Sequence, residues 1–339
     1  MKKVLFATTA LIATSGMAAA EVTFGGFGRF GLFYQEGNDA TVGNDDMRIE
    51  QRFRLTATGT ATADNGLEFE GRIRWQTDDQ ANGNSNIASR SSAGFAVSTG
   101  GFRLDVGNVS DVIDSGDVVN YYGYGVGLTS FAEQSSAFNG IPASGFGVAS
   151  DDSETTPTVK LRYTMGDFTV SASVTDGTSS QQVVTAPSTD AVTTEREEYQ
   201  IGFGYNFGNY SVGLAFGNEE TTTITEAGGA GGVATSAVTL DNDFWAISFD
   251  GEIGAFAFSI LVGDSDSNDE TMYGFSVKYD VSDATEIRFA FSDSGLDAED
   301  EVVAIGFRHG LGGGVSLRGG IGQNTSGNTV ADLGVIFNF

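Results

Sequence analysis

Cysteine is absent from the 339 residues, histidine occurs once, and there are only three prolines. Without cysteine there is no disulfide framework and no thiol chemistry. A lone histidine, His309, excludes a multi-histidine metal site and a histidine-dependent hydrolase assembled within one chain. Basic residues are also scarce, 17 against 45 acidic ones, and such a chain repels nucleic acid. After residue 20 no apolar run approaches the ~20 residues of a membrane-spanning helix. That excludes helical spanning but not a barrel, whose strands need only about 9 to 11 residues and alternate apolar side chains outward.

The first twenty residues differ from the rest. Lys2 and Lys3 precede an apolar stretch from Val4 to Ala13, and the small residues Ala18-Ala19-Ala20 lead to Glu21. This is the pattern of a cleaved secretory signal peptide, 1–20, with the mature chain 21–339 exported. Losing the two lysines leaves 15 basic against 45 acidic residues, a net charge of −30.

The signal that remains is period two. Ile49, Phe53, Leu55 and Ala57 alternate with Arg48, Glu50, Arg52, Arg54, Thr56 and Thr58; Leu67, Phe69, Ile73 and Trp75 alternate with Glu68, Glu70, Arg72 and Arg74. Period two marks half-buried strands, and the same reading along the chain gives sixteen, from Val22–Tyr34 to Leu333–Phe339. The connections sort by parity. After even strands they are tight, as at Asp64-Asn65-Gly66, Thr99-Gly100-Gly101, Met165-Gly166-Asp167 and Phe207-Gly208-Asn209, whereas after odd strands they lengthen to about twenty residues around Asp176 to Glu197 and Gly217 to Asp243. Tyr34, Trp75, Tyr163, Tyr205, Tyr210, Trp245, Tyr273 and Tyr279 stand near strand ends on the apolar face, where rings suit a headgroup layer. Short turns at one rim, long loops at the other and aromatic girdles describe an all-β, 16-stranded antiparallel transmembrane β-barrel of the Gram-negative outer membrane.

One connection breaks the rhythm. From Asn108 to Pro157, about fifty residues carry no Lys or Arg but hold Asp111, Asp114, Asp117, Glu133, Asp151, Asp152 and Glu154 among several aromatics. A connection this long within a compact domain is usually functional, and we read it as folded into the barrel lumen.

The start Glu21-Val22, the turn Asp64-Asn65-Gly66-Leu67-Glu68-Phe69, the long third loop and the ending Ala331-Asp332-Leu333-Gly334-Val335-Ile336-Phe337-Asn338-Phe339 together resemble the Rhodobacter-type general diffusion porins across essentially the whole mature chain. The resemblance implies a homotrimer, passive diffusion of small hydrophilic solutes and ions, a third loop forming the constriction, and a terminal Phe339 read by the outer-membrane assembly machinery. In such a pore Arg29, Arg48, Arg52, Arg54, Arg72 and Arg74 line one wall, on the polar faces of the first three strands, opposite Asp111, Asp114, Asp117 and Glu133 of the loop. A competing reading pairs these arginines with Glu50, Glu68 and Glu70 on the same wall.

Acidic loops at the outer mouth predict weak cation selectivity. No cofactor is required; a structural Ca²⁺ at Asp151, Asp152 and Glu154 is the one metal candidate, although no fixed-spacing calcium loop is present. Small residues facing outward on the first five strands, including Gly26, Gly28, Ala57, Gly59 and Gly71, place the subunit interface there, with lipid and lipopolysaccharide around the remaining wall. Enzyme readings lack residues: Gly25-Gly26-Phe27-Gly28 mimics a nucleotide loop only in composition, and no carboxylate pair stands out. The alternatives are a substrate-specific outer-membrane channel, which the loop tyrosines would serve, and a calcium-binding adhesin, whose nonapeptide repeat is missing.

Overall fold

Alternation of large apolar and small polar side chains makes each segment a strand with two unlike faces, and the computed structural model, described for residues 20–38, 43–148, 156–185, 188–227 and 233–339, joins them into one sheet. The order is β1 (Glu21–Gln35), β2 (Met47–Thr62), β3 (Glu68–Asp78), β4 (Ser89–Arg90), β5 (Gly94–Thr99), β6 (Phe102–Gly107), the single turn α1 (Val112–Ser115), β7 (Thr158–Met165), β8 (Phe168–Thr185), β9 (Ser188–Phe207) and β10 (Tyr210–Ala227). Then follow β11 (Val233–Ile253), β12 (Phe256–Ser265), β13 (Asn268–Ser282), β14 (Thr285–Asp293), β15 (Val302–Gly312), β16 (Val315–Gln323) and β17 (Thr329–Asn338). Two-residue β4 pairs with the upper part of β3 and β5 with its lower part, so the two are pieces of one interrupted strand and the wall has sixteen positions. All pairings are antiparallel, and β17 returns to β1 with Gly28 opposite Phe337 and Leu32 opposite Leu333. The barrel is closed.

The terminal residue extends that closure. Phe339 N donates to Gly26 O and Gly26 N donates to Phe339 O, both at 3.1 Å, and its ring stacks on Phe53 at 5.5 Å. Tight turns gather at one rim, where Gly166 and Gly208 adopt positive φ values of 59° and 66°, a region glycine enters without the Cβ penalty. The same rim carries aromatic ring pairs, among them Phe102 stacked on Tyr163 with centroids 4.1 Å apart and Phe256 tilted against Tyr279 at 4.5 Å.

Two long connections differ from expectation. The stretches around Asp176 to Glu197 and Gly217 to Asp243 are not loops: β8 to β11 run on as paired ribbons, with Thr222 opposite Thr239 and their hydroxyls 2.9 Å apart. Threonine-rich sequence favours the extended chain, and pairing continues wherever two such segments meet. His309 lies within β15, and its Nδ1 is 2.8 Å from Thr285 Oγ1. The proposed signal, 1–20, falls almost wholly outside the described residues.

The sheet is inverted relative to a soluble protein. On β12, Phe256 and Ile260 point outward, exposed, while Ala257, Ser259 and Leu261 point inward, buried. Phe24 is 62% exposed and Ser276 is 0% exposed. The buried apolar core lies inside the barrel, between the wall and the segment after β6. Val112, Ile113, Val119, Tyr121 and Phe138 of that segment pack on Phe244, Leu261 and Met272, and Val126, Ala132 and Ala137 pack on Ala290, Val302 and Ala304.

Candidate constriction site

A strand ladder can satisfy its own backbone, but a fifty-residue loop inside a barrel cannot, and every buried N–H and C=O must find a partner. Here the wall supplies them. Ser173 (β8) accepts from Val112 N, Gln200 (β9) from Ile113 N at 2.9 Å, Ser248 (β11) from Asn120 N at 3.0 Å, Ser276 (β13) from Tyr124 N at 2.9 Å and Ser292 (β14) from Ala137 N at 2.9 Å. Asp332 (β17) accepts from Leu128 N, Thr129 N and Thr129 Oγ1, each at 2.8 Å. Asn242 donates to Gly140 O at 2.6 Å, and Ser265 to Asn139 O at 3.1 Å. One segment that reaches strands so far apart around the circumference is held in the lumen. Its backbone also approaches wall glycines: a Cβ on Gly274 would lie 1.7 Å from Gln134 O, and one on Gly213 would lie 1.8 Å from Val118 O.

Opposite stands the basic wall. Register places Arg29 directly across from Arg52, Arg54 across from Gln76, Arg74 across from Thr56 and Arg72 across from Thr58. Three of the six predicted arginines are ion-paired: Arg29 with Glu50 at 2.5 Å, Arg48 with Asp79 at 2.6 Å, and Arg52 with Asp78. Of the expected partners only Glu50 serves these arginines; Glu70 accepts instead from Arg103 at 3.3 Å, and Glu68 from Ser98 at 3.5 Å. Asp78 and Asp79 were missed because they follow the period-two run at the end of β3. Arg54, Arg72 and Arg74 have no carboxylate within 4.0 Å among the described residues. Arg54 donates to Gln76 Oε1 at 2.5 Å and lies 5.1 Å from the centroid of the Phe27 ring. Arg72 and Arg74 sit 4.3 and 4.4 Å from the centroid of the Phe146 ring, and Arg74 donates to Phe146 O. The far end of the loop is thus fastened to β3 by cation–π contact.

The four loop acids separate into different tasks. Asp111 is fully buried and does not reach the lumen: it caps α1, accepting from Asp114 N at 2.7 Å and from Ser144 N at 2.5 Å. This corrects its assignment to the pore lining; a capping carboxylate satisfies otherwise orphaned helix donors. Burial pushes Asp111 up to about 7 despite those backbone donors. Asp117 is turned to the wall, accepting from Lys160 at 2.7 Å and Arg162 at 2.6 Å. Burial would raise it, but the two cations outweigh that and hold its carboxyl below the usual range. Asp114 accepts from Tyr122 Oη at 2.7 Å and lies within electrostatic reach of Arg74. The Glu133 carboxylate accepts no hydrogen bond from the described residues, and burial pushes it up to about 7.

The calcium candidates Asp151, Asp152 and Glu154 lie outside the described residues. Among the described residues no group of three or more His, Asp or Glu could hold a metal. The serine, asparagine and Asp332 seats escaped the sequence reading. Their signal was a lone small polar residue between outward aromatics or aliphatics, as at Phe275-Ser276-Val277 and Phe258-Ser259-Ile260, with Ser259 and Ser276 opposite each other in register.

The profile of the Gram-negative porin family matches residues 7–329. The chain is 27% identical to the porin of Fuscovulum blasticum over 330 residues and 27% identical to that of Rhodobacter capsulatus over 340, in each case over 94% of this chain and 100% of the relative. A solved mutant of Rh. blastica porin superposes with a TM-score of 0.71 at 24% identity, covering 94% of this chain and all of that one.

Proposed function

The chain belongs to the Gram-negative porin family, a general outer-membrane diffusion channel and not an enzyme, and from that premise we propose how its passage selects. The lumen is narrowed where residues 108–148 face β1 to β3, and solutes cross between Arg29, Arg52, Arg54, Arg72 and Arg74 on one side and Asp114 with Glu133 on the other. The observation that supports this reading is the run of wall-to-loop hydrogen bonds from β8 to β17, against which the arginine wall is met by the loop, among the described residues, only at Phe146, on Arg72 and Arg74. Fixed opposite charges across a narrow passage polarise it, because a lumen bounded by protein screens them less than bulk water does. Small polar solutes and ions align in that field; apolar ones gain nothing and displace ordered water.

The excess of carboxylates at the outer mouth, including Glu219, Glu220, Asp264, Asp266, Asp297, Glu299, Asp300 and Glu301, concentrates cations there, and the basic wall opposes them. The net result is weak cation selectivity. Tyr121 is buried in the loop core and the Tyr122 hydroxyl is taken by Asp114, so two of the three loop tyrosines that a substrate-specific channel would use are already engaged. In this reading residues 1–20 are removed on export, Phe339 presents the assembly signal, and the barrel contacts lipid and lipopolysaccharide.

We place a trimer interface on β1, β2, β3, β5 and β6. Two of its small residues do not support it, because the outer surface of Gly28 is covered by Phe337 and that of Gly71 by Phe95; Gly59 remains open. Calcium at Asp151, Asp152 and Glu154 is kept as a separate proposal, tested by heat stability with and without chelator; an unchanged melting temperature rejects it.

The experiment for the channel is a planar bilayer holding the refolded mature chain, with conductance and reversal potential recorded in a salt gradient. Conductance steps in threes, nearly linear in salt and mildly cation-preferring, support the proposal. An anion-favouring reversal potential or saturating current refutes it.

A further inference from the structure

A polar cavity of about 310 Å³ opens where the loop leaves the wall, between β3, β6 and β7. It lies toward the short-turn rim, on the opposite side of the constriction from the acidic mouth. Arg72, Arg103, Lys160 and Arg162 line it together with Asp105, Asp117 and the Ser110 hydroxyl. Register makes it a built site: Arg103 stands across from Arg162, and Asp105 across from Lys160.

Its charges do not cancel. Asp117 takes Lys160 and Arg162, and Asp105 takes Arg103 at 3.0 Å. Glu70 adds a third carboxylate at the edge, on Arg103. Four cations against three carboxylates leave one positive charge over, and Arg72, which lies over the Phe146 ring, is the guanidinium with no carboxylate within 4.0 Å among the described residues. A second observation points the same way. Arg162 Nε is the one buried side-chain polar atom, among the described residues, with no hydrogen-bond partner. An unused buried donor of this kind is unfavourable, and a ligand oxygen would relieve it once the guanidinium turns toward the cavity.

We propose that this cavity is a binding station for a small oxyanion, the phosphate or carboxylate group of a hydrophilic solute. Guanidinium forks match the oxygens of such groups in bidentate geometry, which a spherical halide cannot use. The volume takes the anion with part of its hydration, since water occupies about 30 Å³ per molecule. Such a station gives anions a resting place beyond the constriction of a channel whose mouth favours cations, so anionic solutes cross by binding and release. The passage role rests on the channel reading; the binding site does not.

The test is titration calorimetry of inorganic phosphate into the refolded full chain in detergent at low salt, paired with bilayer current on adding phosphate to the short-turn side. Saturable binding that weakens with added NaCl, and a phosphate-dependent drop in current, are expected. Arg162→Gln weakens binding about tenfold, the loss of one charge-assisted contact. Arg162→Lys keeps the pair with Asp117 and loses the fork, and it weakens binding nearly as much. Wild-type protein that conducts normally but takes up no phosphate overturns the site. An Arg162→Lys variant with wild-type affinity overturns the guanidinium's part in it. Protein that binds phosphate but carries no current refutes the channel reading and leaves the site standing.

Discussion

Replacing Asp332 separates the loop's seat from the barrel's stability. Its carboxylate receives Leu128 N, Thr129 N and Thr129 Oγ1, each at 2.8 Å, and Leu128 is 2% exposed. Hydrogen bonds to a charged acceptor contribute about 1.5–3 kcal/mol, and a buried donor left unpaired costs about 1–3 kcal/mol. Asp332→Ala orphans two backbone donors, so the local anchor weakens by roughly 2–6 kcal/mol, allowing for non-additivity. The strand ladder is untouched, because residue 332 pairs with Phe33 and Gly320 through its backbone. Loop attachment therefore fails before the barrel does. In single-channel recording Asp332→Ala shows larger and noisier conductance, with the thermal unfolding of the barrel moved only slightly. Asp332→Asn keeps one carbonyl acceptor and falls between wild type and Ala in noise. Both variants remove the same negative charge, so they shift selectivity equally toward anions. If Ala and Asn are equally noisy, the tether argument is wrong; if Ala conducts as wild type does, the Asp332 bonds do not hold the loop in place.

Three further outcomes follow from the same geometry. Arg54→Ala combined with Arg74→Ala, two arginines without a carboxylate partner, raises cation preference and conductance; an unchanged reversal potential removes both from the constriction. Gly274→Ala forces a Cβ to 1.7 Å from Gln134 O, so the loop must shift at a cost of about 1–3 kcal/mol, seen as altered conductance; unaltered conductance together with an unaltered melting point would show that the loop does not rest on β13. Glu133 and Asp111 are both raised to about 7 by burial. A raised carboxylate favours the fold in its neutral form, so loop docking is tightest below the ordinary carboxylate range and weakens as pH rises through about 7. Only Glu133 adds charge at the lumen, so cation preference falls between pH 8 and 5 with a step near 7, and Glu133→Gln abolishes that step; a step that survives assigns the titration elsewhere.

The strands, their inversion and the parity of their turns were legible because each rests on a local rule. Lipid outside and water inside impose period two on every strand, and tight turns need glycine where φ is positive, as at Gly166 and Gly208. The positions of the arginines on β1 to β3 follow from the same alternation. Parity could not say where a ribbon ends, so the extensions of β8 to β11 looked like loops: their threonines carry neither turn signal nor strong apolar alternation.

Tertiary structure decided the loop. Asp111 and Glu133 are alike in sequence, yet one is a buried cap and the other an unpaired carboxylate, because only the fold of 108–148 sets which side faces the wall. Leu261 and Met272 appear as errors in an alternating pattern until the loop's apolar underside is laid on them. Ser276 looks incidental until Tyr124 N points at it. Period and turn chemistry act between neighbours in the chain and can be read along it. The seat of the loop joins residues 61 to 204 positions apart, and satisfying its buried backbone is a constraint that exists only once the barrel has closed around it.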